Sequence, residues 1–130
     1  TDPGVQNMVS YKKWHLIGLE LGISVACVGL RGEATGAATC FNADVVATAK
    51  RDLQPGETLD GEGGYTVFGK LMPARKSLDF GGLPLGLAHS LKLVRPVAKD
   101  QVLSWKDVEA DTSISAYRAR REMESLFPTK

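Results

Sequence analysis

The chain has 130 residues with 16 Lys+Arg against 15 Asp+Glu, a formal charge of +1, and 43% apolar residues. A surface that neutralises nucleic-acid phosphates needs a basic excess, and an interaction tail needs a charge block; neither is present. The length suits one domain with a real core.

The chain opens on Thr1, with no basic n-region, apolar h-region and cleavage site. The expectation is a piece of a longer, cytoplasmic protein. Cys27 and Cys40 lack a second pair, so they form neither a disulfide framework nor a zinc pattern. Two reduced thiols are expected, with a disulfide as the alternative.

Trp14 to Leu30, WHLIGLELGISVACVGL, is the most apolar stretch, but it holds His15, Glu20 and three glycines and falls short of the ~20 apolar residues of a membrane helix. It is expected to be a helix buried in protein, apolar nearly all round. His15, Gly18 and Gly22 share one helical face. A polar group beside a bare backbone surface suits a ligand; tight packing around a satisfied histidine is the commoner meaning of this pattern. Tyr11, Lys12 and Lys13 precede the helix, where phosphate or carboxylate is favoured. Glu20 falls about 140° round from His15, so helical geometry does not pair them.

Arg31 to Ala43 is a connecting loop of small residues. VVATAK, Val45 to Lys50, then predicts a strand, and LQPGETL turns at Pro55-Gly56. The device recurs 44 residues later: Arg51, Leu53, Thr58 and Leu59 align with Arg95, Val97, Val102 and Leu103, and Pro55-Gly56 with Lys99-Asp100. Two similar hairpins folded over each other are expected. Between them, GEGG at Gly61 to Gly64 fails the dinucleotide spacing, because Thr66 stands where the third glycine belongs. These are expected to be loop glycines with positive φ. His89 is expected at a turn or surface.

Ser104 and Asp107 have the spacing of a capping box. Ser113 to Phe127 predicts an amphipathic helix, with Ile114, Tyr117, Met123, Leu126 and Phe127 inward and Arg118, Arg120, Arg121, Glu122 and Glu124 toward solvent. Arg118 and Glu122 are one turn apart and suited to pair. The glutamates beside the arginines speak against a nucleic-acid contact; docking to another domain is open.

ADVVATAKRDLQPGETLDGEGGYTVFGKL, with LPLGLAHSLKLVRPVAKDQVLSWKDVE, resembles a SAF domain, the module shared by sialic acid synthases, antifreeze-type proteins, altronate dehydratases and flagellar P-ring assembly proteins. With YKKWHLIGLELGISVACVGLRGEATG and YRARREMESLF, the chain from Tyr11 to Phe127 is similar to the C-terminal part of homoserine dehydrogenase-like NAD(P)-dependent oxidoreductases, including their 1-deoxyxylulose 5-phosphate reductoisomerase-like branch. The second turn departs from the SAF pattern, with Asp100 in place of glycine.

The resemblance implies an α+β fold: a β-clip SAF-type domain over 44–127, with a preceding buried helix and a C-terminal amphipathic helix. Residues 1–43 become the end of an upstream catalytic domain plus linker. It implies a catalytic His15, with Tyr11, Lys12 and Glu20 on substrate. NAD(P) is expected in the parent protein and not on this chain. The expected partners are the upstream Rossmann domain, a small-molecule substrate and a second copy in a homo-oligomer, with neither nucleic acid nor membrane. A non-catalytic module for an acidic sugar or partner protein and a structural dimerisation domain are the alternatives.

Overall fold

The computed structural model describes residue 9, residues 11–127 and residue 129. Thr1, on which the expectation of a longer parent rests, lies outside them. The chain forms two compact units, Thr1–Ala37 and Ala38–Lys130, and its elements make an α+β protein.

In the first unit, α1 (Ile17–Ala26) runs on through a wider π-type turn, Cys27–Arg31, which ends at Gly32 in the left-handed region at φ 65°. The helix starts later than the apolar run suggests, because Leu16, its N-cap, is not helical. No residue of α1 is buried, against the expected buried helix. The reason is local: among the described residues of this unit there is no second layer against which a helix apolar on both sides can pack. Even so, among the described residues no helix is long and apolar enough to cross a membrane.

The second unit contains β1 (Ala43–Ala49), β2 (Thr58–Asp60), β3 (Val67–Pro73), α2 (Ala74–Phe80), β4 (His89–Leu93), β5 (Val108–Glu109) and α3 (Ser115–Leu126). β1 and β3 form an antiparallel pair running from Ala43 opposite Pro73 to Ala49 opposite Val67. β4 lies between β2 and β5, antiparallel to both.

The 44-residue repeat organises this unit. Leu53 and Val97, equivalent positions, exchange both backbone hydrogen bonds, at 2.8 and 3.0 Å. Each turn then reaches across to the other repeat's strand: Gly56 N–H donates to Leu93 O and Leu93 N–H to Glu57 O, while Asp100 N–H donates to Ala49 O and Ala49 N–H to Gln101 O. Thr48 faces Val102 as Lys92 faces Thr58. The core repeats likewise, since Leu53 with Val97 and Leu59 with Leu103 are all essentially fully buried. Leu83, also fully buried, joins the halves by accepting from Ala47 N–H and donating to Leu103 O.

Sequence differences between the repeats show what each turn requires. Gly56 sits at φ 89°, and Asp100 in the mate turn at φ 65°. Asp tolerates the left-handed region better than most side chains, so the missing glycine leaves the turn intact. Open space surrounds Gly56, so a substitution there meets only backbone strain. Gly56→Asp is expected to cost under about 1 kcal/mol and Gly56→Val more than about 2 kcal/mol, measured by urea denaturation; equal costs would disprove the conformational origin.

Candidate functional site

The chain ahead of α1 folds back along its first turn. Glu20 there accepts from Lys12 Nζ and lies 2.8 Å from His15 Nδ1. Its side chain is 31% exposed, against 64% for Lys12 and 72% for His15. A carboxylate in a first turn is favoured by the unpaired N–H groups at the helix start, and this one also collects both upstream polar groups. The 140° separation does not apply, because His15 precedes the helix and the non-helical Leu16 sets its direction.

Three of the four predicted site residues therefore meet, and Tyr11, 90% exposed, stays apart. His15 Nδ1 lies within ion-pair distance of Glu20 and its side chain is 72% exposed, so a carboxylate and an open imidazole stand side by side. Lys12 is already neutralised by Glu20, so a substrate anion has to displace that carboxylate to gain the full charge. Gly18 and Gly22 have nothing within 4 Å of a side-chain position, so no close packing occupies the glycine face. Cys27 and Cys40 are free.

In the second unit the glycine loop has a definite anchor. Asp60 Oδ2 accepts Tyr65 N–H at 2.5 Å, and Oδ1 accepts Thr66 N–H at 3.0 Å and the Thr66 hydroxyl. The Thr66 hydroxyl and these N–H groups hold the Asp60 carboxyl down to about 2. Gly61 and Gly63 take positive φ, and a side chain on Gly64 would overlap the carboxylate, at 2.2 Å from Asp60 Cγ. The Tyr65 and Thr66 N–H groups that follow the glycines are thus committed to the protein's own carboxylate. His89, exposed at the start of β4, touches the Asp60 carbonyl through Nδ1 at 3.1 Å.

A buried ion pair that sequence reasoning missed fastens α3. Arg120 Nη1 and Nη2 bind Asp44 Oδ1 and Oδ2 at 2.9 and 2.6 Å, and its Nε binds Glu124 at 2.7 Å. Ser77 donates to Asp44 at 2.7 Å, and the guanidinium lies 4.9 Å over the Phe41 ring. Only 11% of the Arg120 side chain and 5% of Asp44 are exposed. This corrects the assignment of Arg120 and Glu124 to solvent: the helix turns this edge inward, leaving Leu126 65% exposed. Arg118 and Glu122 form no ion pair, whereas Arg121 pairs with Glu124 and lies over Trp105 and Tyr117. Arg95 pairs with the buried Asp107, which closes the expected capping box with Ser104.

Burial alone would raise Asp44, but hydrogen bonds from Arg120 and Ser77 outweigh it and hold the carboxyl below its ordinary 3.8. Asp107 is lowered in the same way, burial being outweighed by Arg95 and Ser104. No group of three or more His, Cys, Asp or Glu among the described residues is arranged to hold a metal ion. No protein-family model matches the chain, and no curated protein matches it.

Two predictions follow from these anchors. Arg120→Met leaves Asp44 buried without its partner and is expected to cost about 3 kcal/mol, read from denaturant midpoints; a change below about 1 kcal/mol would show that the pair contributes little. The depressed carboxyls stabilise the fold above their unfolded value near 3.8, and that stability is lost as pH falls through their folded values, that of Asp60 being about 2. Stability should therefore drop between about pH 4 and 2, more shallowly in Asp44→Asn; an identical slope would remove Asp44 from the account.

Proposed function

We propose that this chain is the C-terminal, SAF-containing portion of a homoserine dehydrogenase-like NAD(P)-dependent oxidoreductase. Its second unit is a β-clip SAF module that covers the active-site cleft or makes subunit contacts, and its first unit belongs to the end of the catalytic domain. The protein acts on a small molecule in the cytoplasm and is not catalytically complete on this chain alone. The observation that carries the reading is the exchange of turns between the repeats, which gives the paired SAF-like motifs one interlocked fold. The Lys12–Glu20–His15 cluster adds a candidate substrate contact at the start of α1.

In this reading His15, oriented by Glu20 through Nδ1, exchanges a proton with substrate through Nε2. Lys12 moves from Glu20 to a substrate phosphate or carboxylate, and Tyr11, free at the surface, closes over the ligand. The Gly61–Gly64 loop lacks the dinucleotide spacing, and Asp60 takes the Tyr65 and Thr66 N–H groups that follow it, which supports placing NAD(P) elsewhere in the parent protein. The dinucleotide is accordingly assigned to an upstream Rossmann domain.

Mass measurement of the native protein is the first test: a Rossmann segment ahead of Thr1 is expected, and a native chain without one overturns the proposal. In the full-length enzyme, His15→Ala should lower kcat by more than about tenfold, in keeping with a general acid–base role. Unchanged turnover would return His15 to an ion-pairing role beside Glu20.

A further inference from the structure

Apart from the Glu20 cluster, the second unit carries a concave site of about 390 Å³ between β3 and α2. The two elements build it by their own periodicities. Lys70 and Met72 lie two apart on one face of β3, and Lys76 and Phe80 lie four apart on one side of α2. Ala74 and Ser77 are buried and fix α2 against the sheet, while Gly81, left-handed at φ 73°, ends the helix directly after Phe80. Val102, from the second hairpin, completes the apolar wall.

The contents of this site are unusual for a surface. Phe80 is 50% exposed and its neighbour Leu71 70% exposed, so large apolar area faces an open concavity. Two lysines line it, and no carboxylate lies within ion-pair distance of either among the described residues. Asp79, the acid of α2, is not part of the lining. Two uncompensated ammonium groups over an apolar wall complement a ligand with an apolar body and a negative head. The volume falls within the roughly 300–1,000 Å³ of small-molecule sites. Two flexible ammonium groups meet an anionic head as point charges, without the planar fork by which an arginine grips it at two atoms, and a carboxylate is the smallest such head.

We propose that this is a binding site for a small amphiphilic carboxylate, with its apolar body against Met72, Phe80 and Val102 and its charge met by Lys70 and Lys76. It is separate from the His15 cluster and does not depend on the oxidoreductase reading, so failure of either leaves the other standing.

The test is a titration of the 130-residue chain with 4-phenylbutanoate, 4-phenylbutanol and acetate, followed by amide chemical shifts. The carboxylate is expected to give saturable shifts confined to residues 70–80 and Val102, the alcohol to bind at least about fivefold more weakly, and acetate to give no saturable shift. Lys70 and Lys76 are exposed, so Lys70→Gln with Lys76→Gln preserves the fold and should weaken 4-phenylbutanoate at least about fivefold. Phe80→Ala should weaken both aromatic probes. Equal affinity for acid and alcohol, unaltered affinity in the lysine pair variant, or shifts centred on the apolar helix α1 would each overturn the proposal.

Discussion

Leu53 and Val97 exchange their backbone hydrogen bonds across a separation of 44 residues, and the rest of the second unit depends on that exchange. Neither hairpin completes its own hydrogen bonding. The turn at Gly56 is tied to Leu93 and the turn at Asp100 to Ala49, so each repeat finishes the other's strand end. Neither can bury its leucines alone, because Leu59 and Leu103 meet in one core formed from both. The loop-closure entropy is met once, and several non-local bonds then form together, which makes the unit cooperative.

The features legible in the sequence are those that local chemistry determines. Pro55-Gly56 and Lys99-Asp100 mark their turns because few residues satisfy those backbone angles, and Ser104 with Asp107 marks a helical turn because a cap needs an acceptor three residues from its donor. The repeat was visible because both hairpins solve one problem with similar residues. Arg120 was not, since its partner Asp44 lies 76 residues away and helical periodicity assigns a charged residue to water. A strand-initial acid buried beside an otherwise apolar strand is the one available signal, and it names no partner. α2 was missed for another reason: seven residues hold too few turns to show a period.

The same distinction applies to the first unit. A helical wheel separates His15 from Glu20, yet the pair forms because one non-helical residue, Leu16, redirects the chain. Fold class and the two equivalent turns could be inferred from pattern, but the expected hairpins do not close on themselves, because β1 pairs with β3 and β2 with β4 while each turn bonds to the other repeat; the polar cluster at the helix start required three-dimensional geometry. For the apolar helix the pattern described composition, while its burial is not met within this chain, because periodicity shows what a helix needs without showing whether its own unit supplies it.

The near-zero net charge conceals an unequal division of labour. Asp44, Asp60 and Asp107, each held below its ordinary value, fasten α3, the glycine loop and the second hairpin. Their charge is consumed by the fold, and a carboxylate already bound by arginine, hydroxyl and amide donors has little left to offer a ligand. The balancing lysines are not consumed to the same degree: Lys70 and Lys76 stand without a carboxylate beside exposed apolar surface. Three hydrogen-bonded carboxylates thus fasten the fold, while Lys70 and Lys76 have no ion-pair partner among the described residues.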